Sequence, residues 1–544
     1  MTFVITQSCC EDAACVPVCP VQCIRPRPGD PDFKGAEQLY IDPSSCIDCG
    51  ACATACPVDA IYSSEDLPSS LASFKAINAE YFVAHPLTPS EPPSVARHFL
   101  PPSQSTLRVA VVGSGPAALY AATELSELRD VEVTIIERLP TPFGLIRAGV
   151  APDHESTKRI ADRLGRVLYR PNVQCLFDVE VGRDVSITEV MQHHHAVIVA
   201  TGAAGARRPG VPGEGRIGSV SAREFVSWYN GHPDNASPAF SIDGRRAVVV
   251  GNGNVALDVA RLLARPATAY ASTSVSDAAL ASLTASSIEE VVVVGRRSQA
   301  FAAYSTAELS ALAHLPDVDL LAEANEVAVA DEDWASAAIS GRGWALGLRY
   351  DIVAEAAARM RTQPRRIILR YGLTPVSVLG ESKVTGVELI RPDGTAEVIE
   401  TSLVVWAVGF TGQPLTGLPF DEDRGVVPNR AGRVIDMHSG RRVPGVYCTG
   451  WVKRGASGVI GTNRVDASET VASLLDDFRS GNLAAPPGDA ESFEDLVRER
   501  RPSVLETDGW RRIDEAEVGA GRDQGRSRVK FVTWAELRAT GHSG

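Results

Sequence analysis

Apolar and polar positions change rhythm along the 544 residues. LRVAVV at 107–112 is apolar at almost every position, which suits a strand buried on both faces. A glycine turn comes next, and PAALYAATELSEL then spaces its apolar residues as a helix does. VEVTIIE at 131–137 reads as the next strand. The same texture returns near Arg245. RRAVVVGNGNVALDVARLLA is again strand, turn and helix, and EEVVVVGRR at 289–297 is again the following strand. Two βαβ units are therefore predicted, 138 residues apart from Gly113 to Gly251. An Ala/Ser/Thr-rich stretch at 267–287 interrupts the second and is expected to be a surface insertion. Beyond residue 400, SLVVWAVGF and PGVYCTGW predict strands and DASETVASLLDDF an amphipathic helix. The last fifty residues mix charge with scattered aromatics and carry no readable motif.

The first 85 residues lack long periodic segments and are rich in Cys, Pro and Asp. HPLTPSEPPSVARHFLPPSQST then reads as an extended linker. The expected organisation is a small domain at 1–85, a linker at 86–106, one nucleotide-binding domain from 107–207 and 405–544, and a second at 208–404. At 44% hydrophobic residues the chain can bury sizeable cores, yet no run approaches the ~18 apolar residues of a membrane span. The N-terminus has no basic segment before its cysteines, so no signal peptide, no membrane insertion and a cytoplasmic location are expected. The formal charge of −14 argues against nucleic acid and anionic membrane surfaces. Half of it lies in residues 1–85, where 11 acids face 4 bases.

Nine of the 11 cysteines precede residue 57. In a chain of this length without an export signal, metal is a better reading than disulfides. Cys46, Cys49, Cys52 and Cys56-Pro57 fit the iron–sulfur loop C-x2-C-x2-C-x3-C-P, whose fourth cysteine reaches across to a second cluster. Cys9, Asp12, Cys15 and Cys19-Pro20 form a near copy with aspartate in the second place. Crossing the fourth ligands gives a four-cysteine site, Cys46, Cys49, Cys52 and Cys19, and a three-cysteine site, Cys9, Cys15 and Cys56, with Asp12 at its corner. The first would hold a [4Fe–4S] cluster. The second would hold a [3Fe–4S] cluster or an Asp-ligated [4Fe–4S] cluster, because a carboxylate is a harder and weaker iron ligand than a thiolate. A zinc ribbon also uses C-x2-C pairs, but it needs only four cysteines and leaves the two C-P endings unexplained. Cys10 and Cys23 are left over, to ligate or merely to pack. Cys175 and Cys448 read as small buried hydrophobes.

The two glycine turns lead to strands that end in opposite charge. Gly113-Ser-Gly115 opens the first helix, and Glu137 ends the next strand, 24 residues beyond Gly113. A carboxylate there accepts a ribose 2′-hydroxyl and repels a 2′-phosphate, which suits FAD or NAD. Gly251-Asn-Gly253 opens the second helix, and its next strand ends in Arg296-Arg297, which suits the 2′-phosphate of NADP. The pair could otherwise be a solvated strand end. A flavin site and an NADP site in one chain are the expectation.

Residues 1–85 resemble bacterial two-cluster ferredoxins of the seven-iron type, through MTFVITQSC, the paired loops and AIYSSEDLP, but that type usually has seven residues between its first two ligating cysteines. The five residues between Cys9 and Cys15 match members with Asp in the second ligand place. Residues 107–544 resemble adrenodoxin reductase-type ferredoxin–NADP reductases, through LPTPFGLIRAGVAPDH, GNGNVALDVAR, VVVVGRR and WVKRGASGVIGTN. The whole resembles the mycobacterial-type fusion of the two. This implies an α/β fold, with two Rossmann-like domains of the glutathione reductase type preceded by a small α+β ferredoxin domain. It implies FAD contacts from Ala118, Glu137, Leu145, Val181, Trp451, Gly458, Val459 and Ile460. It implies NADP contacts from Asn252, Gly253, Asn254, Val255, Arg296, Arg297 and Glu308, with Gly458 near the nicotinamide. His154 matches a histidine near the flavin, or simply closes a loop. Where relatives carry a second acid after Glu308, this chain has Ala311, which removes the acid a proton relay would use.

The implied activity is electron transfer from NADPH through FAD to iron–sulfur clusters, and on to free ferredoxins and cytochromes P450 or similar enzymes. Three rivals carry distinct requirements. A flavin disulfide reductase needs a redox dithiol. A glutamate-synthase small subunit needs a glutaminase partner. An electron-transfer scaffold would lack flavin.

Overall fold

The computed structural model describes residues 2–88, 100, 106–237 and 240–543. Most of the expected linker lies outside the described residues. Both βαβ units form as read. In the first nucleotide domain, Leu107–Val112 is an interior strand of a seven-stranded sheet. It lies between Ala196–Val199 and Val131–Glu137 and is parallel to both. The helix Pro116–Ser126 packs its alanines on this sheet and against the long helix Thr462–Arg479. In the second domain, Arg246–Val250 sits centrally in a six-stranded, all-parallel sheet. A three-stranded antiparallel meander, Thr374–Leu379, Gly386–Ile390 and Ala396–Glu400, covers one face through Val378, Val387 and Ile399.

Three expectations change. The strand Leu403–Trp406 pairs with Arg246–Val250 and Ser219–Ser221, so the second domain runs through Trp406 and the first resumes only after it. The stretch 267–287 is not a loose insertion: the helix Asp277–Ala285 sends Ala279 and Leu283 into the second domain's core. Small residues there mark close packing, a signal that Ala/Ser content alone hides. The last fifty residues form the helices Thr507–Asp523 and Trp534–His542, which tie the two domains together. Glu517, fully buried, accepts from Arg147 and from Arg528. Arg526 reaches the Thr273 carbonyl (3.1 Å) and Asp277 (2.5 Å) of the second domain.

The N-terminal domain is built from two short antiparallel ladders, Phe3–Ile5 with Ile61–Ser63 and Ile24–Arg25 with Tyr40–Ile41. The helix Phe74–Ala84 clamps them through buried Asn78, whose amide oxygen accepts from the backbone N–H of Ile5 (3.2 Å) and Ile41 (2.9 Å). Its amide nitrogen donates to the carbonyls of Ile5 and Phe74, both at 2.8 Å. A fully satisfied buried amide fixes ladder and helix in one register.

Candidate functional site

The two cysteine loops share one backbone. Glu11 and Asp48 stand at equivalent places with φ of 57° and 58°, and Ala13 and Gly50 with 59° and 74°. Left-handed Ala13 and Glu11 cost energy, so the first loop holds the ligand-binding shape even with Asp12 in the cysteine place. Cys19, Cys46, Cys49 and Cys52 line a single cavity, the crossed set expected from the spacing. Cys23 lines it too, with its sulfur 3.5 Å from that of Cys19. Cys9, Cys15 and Cys56 lie in the same small core, which Cys19, Cys46 and Cys52 share. Burial pushes the Cys9 thiol up to about 12 and that of Cys52 to about 11, so neither ionises at neutral pH without a cation to bind. Among the described residues no three cysteines bring their sulfurs within 4.8 Å of one another. A zinc ion, with Zn–S of about 2.3 Å, would draw them closer. The donor set fits iron–sulfur clusters.

The first glycine turn sits at the end of the strand Leu107–Val112. A Cβ on Gly113 would lie 2.6 Å from the Ala200 carbonyl oxygen, so only glycine lets the two strands close. Gly115 caps the helix without a side-chain bond and has open space where a Cβ would be. Pro116, the first helical residue, has no N–H, so the groups that face a pyrophosphate here are those of Ala117 and Ala118. Glu137 accepts from the Ser114 backbone N–H (2.8 Å) and hydroxyl (2.7 Å), so the acid expected to bind ribose also braces the turn. Ala118 is wholly buried. Val181 is also buried, and Leu145 opens a short helix beside Gly144. Trp451 stacks on Phe410 at 5.8 Å and donates to the Ser457 carbonyl at 2.9 Å. Gly458, at φ 78°, leads into Val459 and Ile460, whose carbonyls accept from Asn463 Nδ2 at 3.2 and 3.0 Å.

The second turn repeats the design. Gly253 caps its helix without a side-chain bond. Gly251, Asn252, Asn254 and Val255 are half-buried around the turn, and Asn254 Oδ1 accepts from the Ser305 N–H at 2.7 Å. Arg296 and Arg297 are both exposed, and among the described residues neither pairs with a carboxylate. Arg297 lies over the Phe301 ring, 5.1 Å from its centroid. Two unneutralised guanidinia at this strand end fit a phosphate dianion.

Between the domains lies a polar cluster that the sequence only half reveals. Arg261, buried, donates to Asp153 Oδ2 (2.7 Å), Asp258 Oδ1 (2.7 Å) and His154 Nε2 (2.9 Å), and its Nη1 is 3.7 Å from Glu308. His154 and Glu308 are thus brought together. His154, Asp258 and Glu308 have ligand atoms within 4.8 Å of one another, but the Arg261 guanidinium already supplies the cation there. Burial raises the Glu308 carboxyl, and Asp258 adds to this, while His154, Arg261 and Gln7 pull it down. Gln7 comes from the N-terminal domain: its Nε2 donates to Glu308 Oε2 at 2.6 Å and is 3.2 Å from His154 Nε2. In the sequence Arg261 shows only as a charge, with Asp258, on an otherwise apolar helix, and nothing marks Gln7.

The family model described as pyridine nucleotide-disulphide oxidoreductase matches residues 107–463, and the 4Fe-4S binding domain matches residues 39–62. The probable ferredoxin/ferredoxin–NADP reductase of Mycobacterium leprae is 43% identical, across 99% of this chain and 98% of its own length. The chain belongs to this fused ferredoxin/ferredoxin–NADP reductase family. NADPH-ferredoxin reductase FprA of Mycobacterium tuberculosis is 38% identical over 80% of this chain and 98% of its own length. The structure of FprA in complex with NADPH superposes with a TM-score of 0.75, at 37% identity, covering 80% of this chain and all of that one.

In this reductase the ferredoxin domain is seated in the cleft between the nucleotide domains. Tyr40 and Tyr81 stack at 4.3 Å, and each meets Trp344 of the second domain edge-on at 5.5 Å. Glu37 accepts from the Thr306 N–H at 2.7 Å, and the Ser73 and Ser310 hydroxyls meet at 2.8 Å. The acidic domain does face arginines: Arg159–Asp59 (2.5 Å), Arg163–Asp12 (2.7 Å) and Arg349–Glu37 (3.8 Å). Only the first pair is open to solvent on both sides, at 51% and 61% exposure. Added salt screens exposed pairs and spares buried ones. Intramolecular flavin-to-cluster transfer is therefore expected to fall less than about fivefold up to 0.5 M salt, an exposed pair being worth at most ~1 kcal/mol. A steep fall would contradict this seating.

Cys175 and Cys448 do not form a dithiol. Cys175 and Cys448 are buried in strands separated by three others, roughly 19 Å at the usual inter-strand spacing. Gln7 offers a sharper test. Gln7→Ala removes a bond to the charged form of Glu308, so its apparent pKa should rise. The check is the pH profile of kcat/KM for NADPH with a dye acceptor; an unmoved profile counts against a role for this contact.

Proposed function

We propose that the chain is an NADPH:ferredoxin oxidoreductase that delivers electrons from NADPH through FAD to the clusters of its own ferredoxin, and from there to external ferredoxins and P450-type systems. The observation that carries this reading is the seat of the first cluster loop. The Gly461 N–H donates to the Cys10 carbonyl at 2.7 Å, directly beside Gly458, Val459 and Ile460. The balance is one NADPH to NADP⁺ and a proton, with two electrons passed singly to two one-electron acceptors. FAD, when bound, supplies the conversion between hydride chemistry and the one-electron chemistry of the clusters.

The chain's own residues bind and orient. The N–H groups after Gly115 and Gly253 would take the two pyrophosphates, Glu137 the ribose and Arg296–Arg297 the 2′-phosphate. His154, Glu308 and Arg261 would fix charge beside the nicotinamide. Cys19, Cys46, Cys49 and Cys52 would hold a [4Fe–4S] cluster. Cys9, Cys15 and Cys56 would hold a [3Fe–4S] cluster, with an Asp12-ligated [4Fe–4S] form as the alternative. We read the enzyme as cytoplasmic; among the described residues no helix is long and apolar enough to cross a membrane. The test is NADPH-driven cytochrome c reduction by the single purified chain, alongside flavin and iron counts. Turnover that requires both flavin and iron supports the reading. A flavin-free or iron-free chain, or one that needs a glutaminase partner, overturns it.

A further inference from the structure

Positions 12 and 49 are equivalent in the two cluster loops, with matching backbone on either side. Their surroundings are opposite. Cys49 is exposed next to Ile47, itself 59% exposed, whereas Asp12 is 3% exposed. Asp12 is covered by the first nucleotide domain. Tyr120, on the helix after the first glycine turn, donates its hydroxyl to Asp12 Oδ1 at 2.6 Å. Oδ2 lies 2.7 Å from Arg163 Nη1, an ion pair rather than a directed hydrogen bond. Arg464, on the helix after the Gly458–Ile460 turn, donates to the Asp12 backbone carbonyl at 2.7 Å. The neighbouring backbone is as close: a Cβ on Gly461 would sit 2.0 Å from the Glu11 carbonyl oxygen.

We propose that Asp12 is a positioning residue that latches the three-cysteine loop onto the first nucleotide domain through Tyr120 and Arg163, and that it does not ligate iron. The proposal rests on the reading that Cys9, Cys15 and Cys56 hold a cluster. The physical reason is a competition for one carboxylate. Turning it to iron would strip the buried Tyr120 hydroxyl of its acceptor and Arg163 of its counter-charge, for a bond weaker than the thiolate it replaces. A cysteine at position 12 that ligated iron could not also keep both contacts. The loop that faces the flavin side has exchanged a fourth thiolate for a docking group, while the loop that faces solvent keeps Cys49. The site beneath Asp12 is then limited to three irons, and its distance to the Gly458–Ile460 turn is fixed.

The test uses full-length holoprotein prepared anaerobically, as wild type, Asp12→Asn, Tyr120→Phe and Arg163→Ala. Iron per chain and the electron paramagnetic resonance signal of the oxidised three-iron cluster report ligation. The rate at which NADPH abolishes that signal reports docking. The latch predicts that wild type takes up no fourth iron from excess ferrous ion and dithionite. It predicts unchanged iron and signal shape in all three variants. It also predicts a slowing of about tenfold in each, as expected for ~1.4 kcal/mol of lost docking, with the Asp12→Asn/Arg163→Ala double variant no slower than the worse single. A fourth iron gained by wild type and not by Asp12→Asn would make Asp12 a ligand and overturn the latch alone. Variants reduced as fast as wild type would also overturn it. Wild type without any cluster would overturn the ferredoxin reading, and the latch with it.

Discussion

Replacing both Arg296 and Arg297 by alanine is expected to raise the KM for NADPH about a hundredfold and to leave that for NADH nearly unchanged. Each arginine is exposed and lacks a carboxylate partner among the described residues, so neither is tied up before nucleotide arrives. A hydrogen bond to a charged group contributes ~1.5 kcal/mol or more, about tenfold per arginine. Because the contact is to a phosphate that NADH lacks, the loss should be specific. The readout is the ratio of kcat/KM for the two nucleotides with a dye acceptor, and equal losses would refute the assignment. Arg297→Ala should also free Phe301 from its cation–π contact. Structural damage of that kind would affect both nucleotides alike and so is separable.

Excising residues 1–106 should leave a flavoprotein that still oxidises NADPH with a small dye but loses cytochrome c reduction almost completely. FprA, which aligns over 98% of its own length with this chain while covering only 80% of it, supports a reductase portion that folds alone. The seated ferredoxin adds a refinement. Trp344 and Ile460, now against the ferredoxin, would become solvent-facing and invite association. A Trp344→Ser change in the truncated protein is expected to improve its solubility without altering dye reduction. A flavin-free product would show instead that the first nucleotide domain depends on the ferredoxin.

Much of this was legible in the chain. The strand, glycine turn and helix units at Gly113 and Gly251 declare themselves by period, and the crossed cysteine sets can be read from spacing because the loop geometry is local. The features that escaped depend on surfaces meeting. Gln7, Tyr120, Arg163 and Arg464 have no motif of their own; each matters only because the ferredoxin sits in the cleft. Asp12 was visible as an irregularity, but its partners lie 108 residues or more away in sequence. The tail helices were missed because their purpose, holding Arg147 through Glu517, is a tertiary charge arrangement rather than a pattern. Trp406 fell on the wrong side of a boundary because a parallel strand carries no label of the sheet it will join.

The central claim is that NADPH electrons reach the ferredoxin clusters inside one chain, entering at the loop beside Gly461. The most direct measurement mixes the anaerobic holoprotein with NADPH and tracks flavin absorbance together with the cluster signals by rapid freezing, over a tenfold range of protein concentration. The account predicts that the flavin band bleaches first, that the three-iron signal then disappears at a rate independent of protein concentration, and that the four-cysteine cluster responds last. Clusters that stay oxidised beside a reduced flavin, or a cluster rate that scales with protein concentration, would contradict it.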